Sequence, residues 1–132
     1  MTPQSSRVAA AIRAGDINVT VVSNDIFDNM YVRPSDIADP NSVVRAITWN
    51  DTNIYLRNTS TTILSDAVHE GTHVLDFLGG TEPATVWESE FGAFSAERDF
   101  QIGSGQIPEH ATPDDVWFHI WEHYENGPLR PQ

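Results

Sequence analysis

The chain has 132 residues, no cysteine and no lysine; its seven basic residues are all arginines, against nineteen Asp and Glu, giving a net charge of −12. That length suits one domain, residues 1–132, and the composition excludes disulfide scaffolds, zinc ribbons, iron–sulfur clusters, thiol nucleophiles, Schiff-base lysines and the P-loop lysine. So negative a chain repels phosphate backbones and anionic lipid, so neither nucleic acid nor membrane is expected as a partner.

No apolar run is long enough to span a membrane, and Met1–Gly15 lacks the pattern of a signal peptide. The expectation is a soluble protein that, if exported, travels inside a larger secreted parent chain. Four tryptophans and 39% hydrophobic residues argue for a folded chain.

In chain order, Ser6–Ala14 reads as a short helix stopped by Gly15. Ile17–Ser23 is β-branched and reads as a strand. Asn24–Asn41, rich in Asp, Asn and Pro, reads as an irregular loop. Val43–Trp49 and Ile54–Arg57 read as two strands of a hairpin turning on Asn50–Asn53. A long helix is expected from about Thr62 to Leu78, with Ser60 or Thr61 as cap and Gly79-Gly80 as terminator. A second runs from near Pro83 to Ile102. A third starts at Thr112-Pro113-Asp114-Asp115, with a cap, a first-turn proline and acids at the positive end of the dipole, and continues to Asn126. Strands followed by helices make an α+β pattern.

The first long helix contains His69-Glu70-Gly71-Thr72-His73, the HExxH spacing. Residues i and i+4 lie one turn apart on the same helix face, so two imidazoles can converge on one zinc ion. Glu70 lies about 100° round the helix from His69, flanking the metal, where it can take a proton from an activated water. Thr62, Asp66, His73 and Asp76 fall within about 60° of His69, while Ile63, Leu64, Ala67, Val68, Val74, Leu75 and Leu78 lie opposite. The expectation is a helix with a buried back and a polar stripe holding both histidines. Its plain alternative is a merely solvated stripe.

A catalytic zinc site of this kind needs a third protein ligand and an open fourth position. No H-x-x-G-x-x-H extension follows His73, which excludes a metzincin. The second long helix offers Glu88, Glu90 and Glu97 beside an apolar face of Trp87, Phe91, Phe94 and Ile102. Helical phase alone does not choose between Glu88 and Glu90.

HExxH on one helix and a glutamate on the next resembles the gluzincin arrangement. The stretch Glu90-Phe91-Gly92-Ala93-Phe94-Ser95-Ala96-Glu97 is similar to the E-x-x-A-x-x-A pattern of very small bacterial gluzincins, including metallopeptidase domains of polymorphic toxins. The resemblance covers about Ile54–Ile102. It implies His69, His73 and Glu90 as Zn2+ ligands and Glu70 as the catalytic general base. It also implies a small zincin-like fold, with a short three-stranded sheet, an active-site helix and backing helices. In that fold a strand borders the cleft and pairs with an extended substrate; Ile54–Arg57 is the candidate. The thermolysin-like E-x-x-x-D spacing is not met, since Phe94 stands where the Asp would be. The partner of the ligating histidines is therefore open among Asp76, Asp66 and Glu97.

Weaker signals remain. His119-Ile120-Trp121-Glu122-His123 matches the inverted motif H-x-x-E-H, on a helix expected to bury Val116, Trp117, Ile120, Trp121 and Tyr124. His119, His123, Tyr31, Tyr55 and Tyr124 are candidate transition-state donors, with nothing local to select one. His110 reads as exposed. The acidic loop with Asp25, Asp28, Asp36 and Asp39 lacks calcium-loop spacing. The expected function is a zinc metalloendopeptidase acting on a protein or peptide substrate, in a toxin or effector setting with an inhibitory or immunity protein as partner. The alternatives are a non-catalytic zinc-stabilised interaction domain binding a basic partner and a metal-free adaptor.

Overall fold

The computed structural model describes residues 2–27, 45–58 and 62–129. Along the chain run α1 (Pro3–Ala14), β1 (Asn18–Val22), the single turn α2 (Asn24–Ile26), β2 (Ala46–Trp49), β3 (Asn53–Arg57), α3 (Ile63–Gly79), α4 (Val86–Gly103) and α5 (Pro113–His123). The fold is α+β, as expected. Tyr31, Asp28, Asp36, Asp39, the proposed caps Ser60 and Thr61, and most of the Asn24–Asn41 loop lie outside the described residues.

Helix α1 begins earlier than the expected Ser6. Thr2 caps it in a reciprocal pair with Ser5, Pro3 occupies the first turn, and Gly15 closes it at φ 82°. The β2–β3 hairpin turns through Asn50 and Asp51 at φ 52° and 65°, values that Asn and Asp tolerate. Strand order is β1-β3-β2, with β1 parallel and β2 antiparallel to β3. This corrects one expectation. Ile54–Arg57 belongs to the central strand, whose two edges are already paired, so it cannot receive a substrate. β2 is an edge strand and packs beside α3.

Ala11, Ile17, Ile54, Leu56 and Val74 form the core between α1, the sheet and α3. A second cluster, Phe94, Val116 and Ile120, joins α4 to α5. Helix α3 lies between the two and is covered on both sides. Its polar stripe is therefore not solvated: Asp66 is 4% and His69 8% exposed, while Leu64, expected on the buried back, is 68% exposed. The cover over the stripe is α4, and residues at the margins are left outside. α1 crosses α3 at Gly71, where a Cβ would stand 2.5 Å from Cγ1 of Val8. Glycine inside HEGTH is thus what lets the two helices meet.

Helix α5 ends at His123, three residues before the expected Asn126. Tyr124 is extended, and the chain returns to the start of α4: Val86 N–H donates to Gly127 O (3.0 Å), Leu129 N–H to Ala84 O (3.1 Å) and Trp87 Nε1 to Tyr124 O (3.0 Å). These tertiary bonds replace a last helical turn. The expected buried face of α5 is also corrected. Val116 and Ile120 are fully buried, but Trp117 is 38% and Trp121 64% exposed. Among the described residues no helix is long and apolar enough to cross a membrane.

Candidate metal centre

His69 and His73 project from one face of α3 towards α4, their rings 5.1 Å apart. α4 is capped by Thr85, whose hydroxyl accepts from the Glu88 N–H, and it packs along α3 with Glu90 inward. One carboxylate addresses both imidazoles: Oε2 of Glu90 lies 3.1 Å from Nε2 of His69, and Oε1 lies 3.1 Å from Nε2 of His73. Donor atoms of these three residues all fall within 4.8 Å of one another.

The other ring nitrogens are addressed from behind. Nδ1 of His73 lies 3.1 Å from Ser89 Oγ, and Nδ1 of His69 lies 3.5 Å from Oε1 of Glu97, a carboxylate only 2% exposed. An Nδ1–H given to Ser89 leaves Nε2 of His73 its lone pair for a metal, whereas Nδ1 of His69 makes no hydrogen bond among the described residues and faces Glu97 at ion-pair distance. Two imidazoles and one carboxylate are a donor set that suits zinc. Glu70 is not one of the three: the Thr48 hydroxyl donates to its Oε2 at 2.6 Å.

Burial opposes charge on His69 and His73. It is outweighed by Glu90, through hydrogen bonds and charge, by Glu97 at His69, and by the charge of Glu70, so both imidazoles bind protons more tightly than usual. Burial would raise the Glu90 pKa, but the two histidines overcome it and hold the carboxylate well below its ordinary range. The pocket is thus organised around one anion facing two cations or their replacement.

The remaining candidates separate clearly. Glu88 is exposed in the first turn of α4, away from the histidines. Asp66 pairs with Arg45 at 3.4 Å and accepts from Thr62, and Asp76 accepts from Thr81 at 3.1 Å. Neither takes the place behind a histidine that Glu97 and Ser89 take.

His110, His119 and His123 form a second row, with ring centroids 4.8 and 4.6 Å apart. The Phe94 ring stands between this row and the centre, 4.4 Å from His69, 5.5 Å from His110 and 5.1 Å from His119. Burial, then the charges of His110 and His123, push His119 down to about 4, so it is neutral at physiological pH. Among the described residues, the inverted motif does not join a three-donor metal group.

Of the two described tyrosines, Tyr124 is the one whose phenol feels the charges of the centre. Burial, followed by the charges of Glu90, Glu70 and Glu97, keeps its phenol protonated far above the usual range. Tyr55 sits on the central strand.

Sequence reasoning missed Thr48 and Ser89. Ser89 precedes Glu90 and could have been noticed; Thr48 is brought in by the hairpin and had no local signal. No protein-family model, no curated protein and no solved structure matches the chain.

Proposed function

We propose that this chain is a zinc-dependent endopeptidase. The observation that carries the reading is the convergence of His69, His73 and Glu90, with Glu70 close enough for its charge to act on both histidines. When bound, zinc supplies Lewis acidity, making a water a nucleophile at neutral pH and polarising a peptide carbonyl. Glu70 accepts the proton of the attacking water. The oxygen of that water adds to the carbonyl carbon, and Glu70 then delivers the proton to the amide nitrogen as the C–N bond breaks. Tyr124, held protonated, is suited to donate to the carbonyl oxygen as negative charge develops there. Of the two outer strands, β1 and β2, β2 is the one whose side chain meets Glu70, and its outer edge, which no described strand covers, is where we place an extended peptide. The toxin or effector setting, with an inhibitory partner protein, rests on the gluzincin resemblance.

A second reading is carried by α5. Trp117, Phe118 and Trp121 are exposed on a chain of net charge −12, a face suited to a basic partner. In that reading zinc stabilises an interaction domain and Glu70 has no chemical role.

One set of measurements separates the two. Untagged protein should carry close to one zinc per chain, removable by a chelator. A peptide library should be cleaved by the zinc form, and Glu70→Gln should keep the metal while hydrolysis falls by roughly two to four orders of magnitude. A zinc-loaded protein that cleaves nothing favours the interaction domain, and protein that refuses zinc ends both readings.

A further inference from the structure

The bond between Thr48 and Glu70 joins two parts of the molecule with different duties. Glu70 belongs to the metal-site helix, whereas Thr48 lies in the middle of β2, the edge strand. The backbone of β2 adds a second observation. The Arg57 N–H donates to Arg45 O at 2.9 Å, and these two residues stand opposite each other in the register that pairs Ala46 with Leu56. In an antiparallel ladder, hydrogen-bonded pairs alternate with non-bonded ones. Ala46 and Thr48 therefore turn their N–H and C=O groups away from β3, towards the edge that no described strand covers.

We infer that Thr48 is a positioning residue: its hydroxyl fixes the Glu70 carboxylate for proton transfer, while its main chain stands at the edge where a peptide strand would dock. This inference rests on the peptidase reading. The hydroxyl engages Oε2 of Glu70, leaving Oε1 to meet the attacking water. A carboxylate on a flexible side chain samples several rotamers, and the Thr48 bond selects one. Because the same residue offers its N–H and C=O to the docking edge, a bound peptide strand and the base share one rigid reference. Such coupling keeps the scissile carbonyl and the proton acceptor in register.

Thr48→Val keeps the shape and strand preference of the side chain and removes the donor, whereas Thr48→Ser keeps the donor. Glutamate labelled with 13C at Cδ reports the carboxylate directly, with Glu70→Gln identifying the Glu70 resonance. That resonance should move in Thr48→Val and stay at its parent position in Thr48→Ser, in metal-free and zinc-loaded protein alike. With a cleaved library peptide, kcat of the zinc-loaded Thr48→Val should fall about 10–100-fold, as for loss of an outer-shell partner. KM and zinc affinity should hold, and Thr48→Ser should recover most of the rate. An unmoved resonance, an unchanged kcat, a failure of serine to rescue, or zinc lost together with rate would each overturn the assignment. Failure of the peptidase reading looks different: the parent itself loads zinc and cleaves nothing, and the catalytic role of Thr48 falls with it.

Discussion

Oε1 of Glu97 lies 3.5 Å from Nδ1 of His69, on the opposite side of the ring from Glu90, which meets Nε2 at 3.1 Å. Two glutamates of one helix thus hold one imidazole from both sides, but only Glu90 also reaches His73. Their losses should differ in kind. Glu97→Ala should weaken zinc binding by about 10–100-fold, the usual cost of an outer-shell partner. Glu90→Ala should exceed that, and Glu88→Ala should leave affinity unchanged. Competition against a chelator of known affinity ranks the three, and a Glu97 effect as large as that of Glu90 would exchange their roles.

Proton binding sets a second expectation. In the metal-free protein the raised pKa of His69 and His73 contributes stability that is complete below their ordinary value of 6.5 and is lost as pH rises through the raised values. Glu90, with its pKa depressed, contributes above its ordinary 4.5 and loses that contribution as pH falls towards its folded value. The cluster therefore supports the metal-free fold best between about pH 4.5 and 6.5. Zinc requires neutral imidazoles, so saturating zinc should move the optimum upward. Denaturant titrations across pH 4–8, with and without zinc, check this; a metal-free protein that gains stability from pH 6.5 to 8 contradicts it.

The close approach at Gly71 yields a packing test. An alanine there gains about 1 kcal/mol of helix propensity, yet its Cβ would fall 2.5 Å from Cγ1 of Val8, a residue 2% exposed. Overpacking of this kind costs about 1–3 kcal/mol, so Gly71→Ala should be destabilising overall. Val8→Ala opens the space. In that background Gly71→Ala should become neutral or stabilising, a coupling readable in a double-mutant cycle. Additive effects would mean that the two helices do not meet there in solution.

Tyr124 supplies the kinetic test. Removing one donor to a developing oxyanion lowers kcat by about 10²–10³-fold, and Tyr124→Phe keeps the ring that packs with Phe94, Val116 and Ile120. Substrate affinity should change little, because the donor acts mainly in the transition state. A Tyr124→Phe protein with parental kcat would leave the phenol as a packing group alone.

The amino-acid sequence by itself determined the local features. Gly79-Gly80 marked the end of α3 and Thr112 the start of α5, β-branched runs marked the strands, and HExxH put His69 and His73 on one turn with Glu70 beside them. Each depends on residues a few positions apart, where backbone geometry is fixed by covalent structure and short hydrogen bonds. Tertiary structure decided what lies between elements. Helical phase could not rank Glu88 against Glu90, because the choice depends on how α4 packs along α3. The sequence also could not say that β3 is central and β2 an edge strand, since β1 pairs with β3 across a long connection. α5 stops early because main-chain groups from Tyr124 onward bond to the start of α4, and Trp117 only lays one ring face on Phe91 of α4 while Trp121 stays outside. The contacts of Glu97 with His69, Ser89 with His73 and Thr48 with Glu70 all cross between elements. Their physical cause is the stacking of sheet, α3 and α4, which brings sequence-distant side chains within hydrogen-bond reach and has no periodicity of its own in the chain.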